Sequence, residues 1–170
     1  MTPPSPNGQH LYDPAEPTAP APPVRKFHAA DDTYRWDDVP LKAYKPAGTH
    51  FKDITRQILF GEQEALTSQL RYFEIAPGGH STLERHEHVH AVLILRGRGH
   101  VLVGSEVYGV EALDLVHVPP MTWHQFRADA GEPLGFLCLV ACDRDRPQRP
   151  TPEDAEALRA LPAAGDFVRL

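Results

Sequence analysis

A chain of 170 residues, 41 % of them hydrophobic, is long enough for one domain with a substantial core. Its formal net charge of -6 offers no basic footprint for nucleic acid, and no apolar run reaches the roughly 20 residues of a membrane span. No basic stretch followed by an apolar core opens the chain, so no secretory signal is expected. The two cysteines, Cys138 and Cys142, are too few and too close for a disulfide framework. Free, buried thiols in a cytoplasmic protein are the expectation.

Proline is abundant, at 18 residues, and much of it lies at the ends. Residues 1–28 have no hydrophobic period and read as a flexible Pro-rich arm, with the folded barrel expected over 29–145 and a linker plus helix over 146–170. The centre is a series of short strand patterns. The first is 55–61, ending in Gly61. A longer one over 66–76 stops at Pro77-Gly78-Gly79. Residues 91–97 are apolar enough for burial on both faces. After Gly99, residues 100–104 and 106–110 flank Gly104-Ser105 as in a hairpin. Residues 114–119, 122–128 and 133–142 complete about eight strands with no long helix between them, the pattern of an antiparallel sandwich or barrel. A C-terminal helix should start at Thr151 or Pro152, with Glu153 and Asp154 in its first turn, and stop at Pro162.

The unusual stretch is "ERHEHVHAVLILRGRG", residues 84–99. Glu84, His86, His88 and His90 occupy alternate positions directly before an apolar strand. Neutral imidazole is the commonest side-chain ligand for Fe, Ni, Cu and Zn, and several on one face can converge on an ion. A solvated polar strand face is the plainer alternative. Three alternating histidines and a fourth in a second motif weigh against it.

On two motifs the chain resembles a cupin, a small jelly-roll barrel. The first is "GGHSTLERHEHVHAVLILRG", set against glycine, His-x-His, Glu, six residues and glycine. The second is "DLVHVPPMTWHQF", set against glycine, Pro-x-Gly, two residues and His. The resemblance covers roughly 66–142 and implies an all-β cupin double-stranded β-helix holding one divalent transition metal ion (Fe, Mn, Ni, Cu or Zn), with His124 as the motif histidine of the second segment. Met121 and Leu113 stand where the family commonly has glycine. Six residues before Gly97 lies His90, in the carboxylate position. Gapless counting then puts His86 on the second histidine and Glu84 on the first, whereas a literal His-x-His is His86-Glu87-His88. His86, His90 and His124 are therefore the candidate ligands, with His88 or Glu84 as the contested fourth.

Geometry limits these choices. On a straight strand rising roughly 3.3 Å per residue, Glu84 and His90 stand about 20 Å apart, while each ligand atom must come within about 2 Å of an ion. A site using both requires a bend inside "RHEHV". On the strand before the first motif, either Gln69, Arg71 and Phe73 or Leu70, Tyr72 and Glu74 face inward. Tyr72 and Glu84 are the candidate acid–base groups, with Tyr72 also readable as core. Trp123, Phe126, Phe136, Val92 and Ile94 are expected to fill the core or wall the cavity. His10, His28, His80, His100 and His117 carry no functional expectation.

The resemblance implies a metal-dependent enzyme acting on a small-molecule substrate. An oxygen-using, dioxygenase-like oxidoreductase leads because His90 replaces the carboxylate. A non-redox isomerase or lyase and a non-catalytic metal- or ligand-binding cupin are the alternatives. Cupins commonly pair through sheet edges, so a homodimer is expected, with neither nucleic acid nor membrane as partner.

Overall fold

A computed structural model describes residues 22–30, 33–45 and 47–170. Among the described residues ten strands and one α-helix follow in order, with one short 3-10 turn (Glu62–Glu64) after the fourth strand. They are β1 (Phe27–Ala30), β2 (Thr33–Trp36), β3 (Lys42–Ala43), β4 (Lys52–Phe60), β5 (Ser68–His80), β6 (His90–Val103), β7 (Glu106–Glu111), β8 (Leu115–Val118), β9 (His124–Ala128), β10 (Leu134–Ala141) and α1 (Pro152–Arg159). β1 and β2 form a separate antiparallel hairpin. The other eight strands make one rolled antiparallel sheet, in the order β10-β6-β9-β5-β4-β3, with β7 and β8 also paired to β6 and β10 closing onto β5. This is the all-β barrel expected from the strand pattern.

β6 organises the sheet. The sequence places a break at Gly97–Gly99, yet the strand runs unbroken for 14 residues. Gly97 adopts φ 71, and a Cβ there would lie 1.7 Å from the Pro133 carbonyl oxygen. The glycine bends the strand instead of ending it, which lets one strand serve β8 and β10 with its first half and β7 and β9 with its second. Likewise Pro77-Gly78-Gly79 does not end β5; Gly78, at φ 71, sits within it.

Strand alternation sorts the side chains. Ile54, Phe73, Ile75, Val92, Ile94, Val101, Phe126, Leu134, Phe136, Cys138 and Val140 fill the barrel. Phe126 stacks on Phe136 at 4.6 Å, and Phe136 on Phe73 at 5.4 Å, between ring centroids. Burying a Phe or Val side chain contributes roughly 1.5–3 kcal/mol each, so this row is the main source of barrel stability. On the outer face, Leu158 of α1 packs with Leu83, Leu102, Phe167 and Val168. Thr151 caps the helix: its hydroxyl accepts from the Asp154 N–H at 3.1 Å, while Asp154 accepts from the Thr151 N–H at 3.0 Å. Elsewhere on the outer face Leu70, Leu93, Leu115, Leu137 and Leu139 line an apolar groove.

The β1–β2 hairpin begins at Phe27, just inside the segment assigned to the arm; residues 1–21, and His10 with them, lie outside the described residues. Tyr34 and Trp36 of this hairpin cover Tyr72, with ring centroids 6.0 and 5.3 Å away. Leu113 and Met121, which replace the family glycines, both keep positive φ, at 79 and 53. The backbone of the motif loops is thus retained at the cost of left-handed strain, of order 1–2 kcal/mol per residue.

Candidate metal centre

The run from Glu84 to His90 is not a straight strand. Glu84 forms an isolated bridge with His124, and Arg85 one with Gln148, before the chain bends at Glu87-His88 and enters β6 at His90. Asp145 fixes the bend. Its carboxylate accepts the N–H of Glu87 at 2.8 Å, the N–H of His88 at 3.0 Å and Nδ1 of His88 at 2.6 Å. Burial pushes the Asp145 carboxyl up, but these hydrogen bonds outweigh it and hold it down at about 2. The Met121 N–H donates to the His86 carbonyl at 2.7 Å and ties the second motif to the first.

The bend removes the straight-strand separation. Nε2 of His86 and Nε2 of His90 lie 2.7 Å apart. Ligand nitrogens of His86, His90 and His124 all fall within 4.8 Å of one another. The ring orientations suit coordination. His86 Nδ1–H donates to the His88 carbonyl at 2.7 Å and His124 Nδ1–H to the Thr122 carbonyl at 2.9 Å, which leaves both Nε2 lone pairs free. His90 Nδ1 lies 2.8 Å from Cys138 Sγ. Burial, reinforced by the neighbouring His124 and Arg71, drives the His90 pKa far down. Burial also lowers His86, and brings His124 to about 4. All three imidazoles are therefore neutral at pH 7, the form a metal requires. With His90 protonated on Nδ1, towards Cys138 Sγ, the three Nε2 atoms offer lone pairs to one point, a donor set that fits a cation.

The other predicted residues are placed as follows. His88 stacks on His86 at 3.5 Å, and its Nδ1 is engaged by Asp145. His86, His88 and Asp145 form a second close triad, but a direct His–carboxylate hydrogen bond joins two of its members. Glu84 is buried and accepts from Lys45 Nζ at 2.7 Å; the same ammonium donates to Thr82 Oγ1 at 2.9 Å. Tyr72 is not brought to the histidines. It is fully buried on the barrel's outer face, and its hydroxyl donates to Glu74 Oε2 at 2.5 Å. The physical reason is parity: Arg71 and Phe73 take the inward positions, so Tyr72 points the other way. Trp123 likewise packs outward, under Arg85, while Phe126, Phe136, Val92 and Ile94 lie inside. His100 is exposed and paired with Asp129, His28 with Asp37; His117 lies on the outer groove and His80 beside Ser81. Sequence reasoning missed Lys45, Arg71, Cys138, Arg144 and Asp145 as neighbours of the site. Asp145 sits in "DRDRP", which reads as charged linker, and Cys138 reads as ordinary core.

With this geometry in view, comparison with known proteins is decisive. The family model "Cupin domain" matches residues 71–140. A protein of Rhodospirillum rubrum named 1-methylthio-D-xylulose 5-phosphate methylsulfurylase is 53 % identical over 145 residues, 85 % of this chain and 92 % of its own. The chain belongs to the cupin family. Two crystal structures extend the likeness. A cupin 2 conserved barrel protein from Rhodopseudomonas palustris has 49 % identity and a TM-score of 0.79, over 86 % of this chain and 99 % of its own. A cupin-2 domain from Rhodospirillum rubrum has 51 % identity and a TM-score of 0.76, over 88 % and 96 %. Among the described residues no helix is long and apolar enough to cross a membrane.

Proposed function

We propose that this chain is a metal-dependent enzyme that cleaves the carbon–sulfur bond of a methylthio-substituted ketose phosphate, of the kind named for its Rhodospirillum rubrum relative. The observation that carries this reading is the convergence of His86, His90 and His124 within 4.8 Å inside a barrel that is 53 % identical to that relative. Sequence alone favoured oxygen chemistry because His90 stands in the carboxylate position. The relative's name carries sulfur chemistry at a sugar phosphate instead.

His86, His90 and His124 would hold the ion; the Glu84 carboxylate, hydrogen-bonded to Lys45, stands outside that group of nitrogens, and the His88 ring is held by Asp145. A divalent ion bound there supplies Lewis-acid polarisation of a carbonyl next to the scissile bond. The protein's part is positional. The stacked Phe73, Phe126 and Phe136 fill the barrel interior with apolar surface. The Lys45 ammonium, on Glu84 Oε2 and Thr82 Oγ1, holds the Glu84 carboxylate in place and is the group that would donate a proton to the substrate carbon. An external thiol attacks the methylthio sulfur and carries it away as a mixed disulfide, the carbon–sulfur bonding pair passes into the adjacent carbonyl as an enolate, and the carbon then takes one proton.

The test is incubation of the purified protein with 1-methylthio-D-xylulose 5-phosphate, with and without an added thiol, followed by mass spectrometry and an oxygen electrode. Loss of the methylthio group without oxygen uptake supports the reading. Oxygen consumption coupled to substrate loss would restore the dioxygenase reading, and binding without turnover the sensor one. The homodimer expected from the sheet edges is carried forward as a proposal, checked by sedimentation at micromolar concentration.

A further inference from the structure

One side of the histidine cluster carries positive charge with no matching carboxylate. Arg71 lies on β5, paired across the sheet with Cys138 of β10 and Ile58 of β4, and points into the barrel. It is 7 % exposed. Its Nη2 donates to Cys138 Sγ at 3.6 Å, and its guanidinium carbon lies 5.0 Å from the Phe73 ring centroid. Its Nε is buried and makes no hydrogen bond. No carboxylate among the described residues is within ion-pair distance of it, whereas Lys45, Arg25 and Arg85 each have one. The same Cys138 sulfur is 2.8 Å from His90 Nδ1, so a single side chain separates the guanidinium from a candidate metal ligand.

Arg144, just past the end of β10, joins it. Its Nη1 donates to the Ala141 carbonyl at 3.1 Å, and it too lacks a carboxylate partner among the described residues. Burial, then Arg71, then Arg56, lower its pKa to about 10, as crowded like charges do. Buried charges in proteins are normally paired or bound to a ligand. Beside the histidines, Arg71, buried, and Arg144, half-buried, are two guanidiniums without a carboxylate partner among the described residues, and the group that would match them is an anion. A planar fork of N–H donors matches the oxygens of a phosphate monoester.

We infer that Arg71 and Arg144 form the phosphate-binding end of the substrate pocket, and that Arg71, with its unpaired buried Nε, makes the protein select a phosphorylated sugar over the free one. The identity of the sugar rests on the functional reading above; the requirement for an anion does not. A short carbon chain then spans from the phosphate at Arg71 to the polarised carbonyl at the histidines, which fixes the direction in which the substrate enters.

The experiment is calorimetric titration of the purified protein, as isolated and after chelation, with D-xylulose 5-phosphate and with D-xylulose. The metal content of every sample is measured by plasma emission. Wild type should prefer the phosphate ester by at least about tenfold. Arg71→Met and Arg144→Met should each cut that preference to about threefold or less, with metal content unchanged, and Arg71→Lys should restore part of it. Should Arg71→Met fail to fold, Arg144→Met decides, since that residue lies beyond the barrel strands. An unchanged preference in the folded variants, or no preference in wild type, overturns the inference. A wild type that holds no metal as isolated, takes none up on supplementation and still prefers the phosphate ester would sink the metal reading and leave the arginine site standing. A metal-loaded wild type without the preference would do the reverse.

Discussion

Acidification should unfold the metal-free protein through its buried histidines, and the window can be worked out. His124 has an ordinary pKa of 6.5 when unfolded and about 4 when folded. Its folded value is depressed, so its contribution to stability is fully present above pH 6.5 and is lost as pH falls towards 4. Integrated from about pH 7.5 to about pH 4.5, that single shift removes about 2.5 kcal/mol. His86 and His90 are depressed by burial too and add in the same direction. The Asp145 carboxylate, held at about 2, contributes no loss until well below this range. The assay is urea unfolding of chelated protein at half-unit pH steps, with His124→Gln as control. The variant should lose about 2.5 kcal/mol less than wild type across the window. Identical pH profiles for the two proteins would refute the claim that His124 is buried in its neutral form.

Other perturbations separate the roles assigned above. His86→Ala, His90→Ala and His124→Ala should each abolish stoichiometric metal, read by plasma emission, whereas His88→Ala should keep the metal with affinity lowered about 10-fold, as for residues that only support a ligand. Tyr72→Phe should leave metal content and turnover intact but lower the unfolding free energy by about 1.5–3 kcal/mol, because it removes a buried hydrogen bond to the Glu74 carboxylate; loss of turnover at full stability would return Tyr72 to the catalytic group. Leu113→Gly, at an exposed position with φ 79, should raise the melting temperature, since relief of left-handed strain of order 1–2 kcal/mol exceeds the entropy cost of glycine. Asp145→Ala should weaken metal binding by releasing the bend at Glu87-His88, visible as a higher metal dissociation constant.

How much of this was legible in the sequence depends on range. Strand alternation and the turn residues located β4 to β10 and α1, because those signals are local; the two-residue turn at Gly104-Ser105 is present, with Val103 facing Glu106. Glycine was the ambiguous letter. At Gly97 and Gly78 it bends strands that continue, and only the close approach of Pro133 to Gly97, made by a distant segment, explains why. The β1–β2 hairpin, in the proline-free residues 27–36 next to the Pro-rich arm, left no signal because its apolar partner, Tyr72, is 38 residues beyond Tyr34. At the site, parity and motif spacing brought out His86, His90 and His124. Whether Arg71 or Tyr72 faces inward was undecidable from alternation alone. It is settled by Cys138 pairing with Arg71 and by the aromatic hairpin covering Tyr72. The Asp145 contact, 57 residues from His88, left no local trace.

The central claim is that imidazoles from two separate motifs share one cation. Anomalous diffraction from crystals of the protein as purified tests it directly. One strong peak per chain should lie about 2 Å from Nε2 of His86, His90 and His124. Absence of a peak after supplementation with Mn, Fe, Ni, Cu and Zn in turn, or a peak confined to His88 and Asp145, would contradict it.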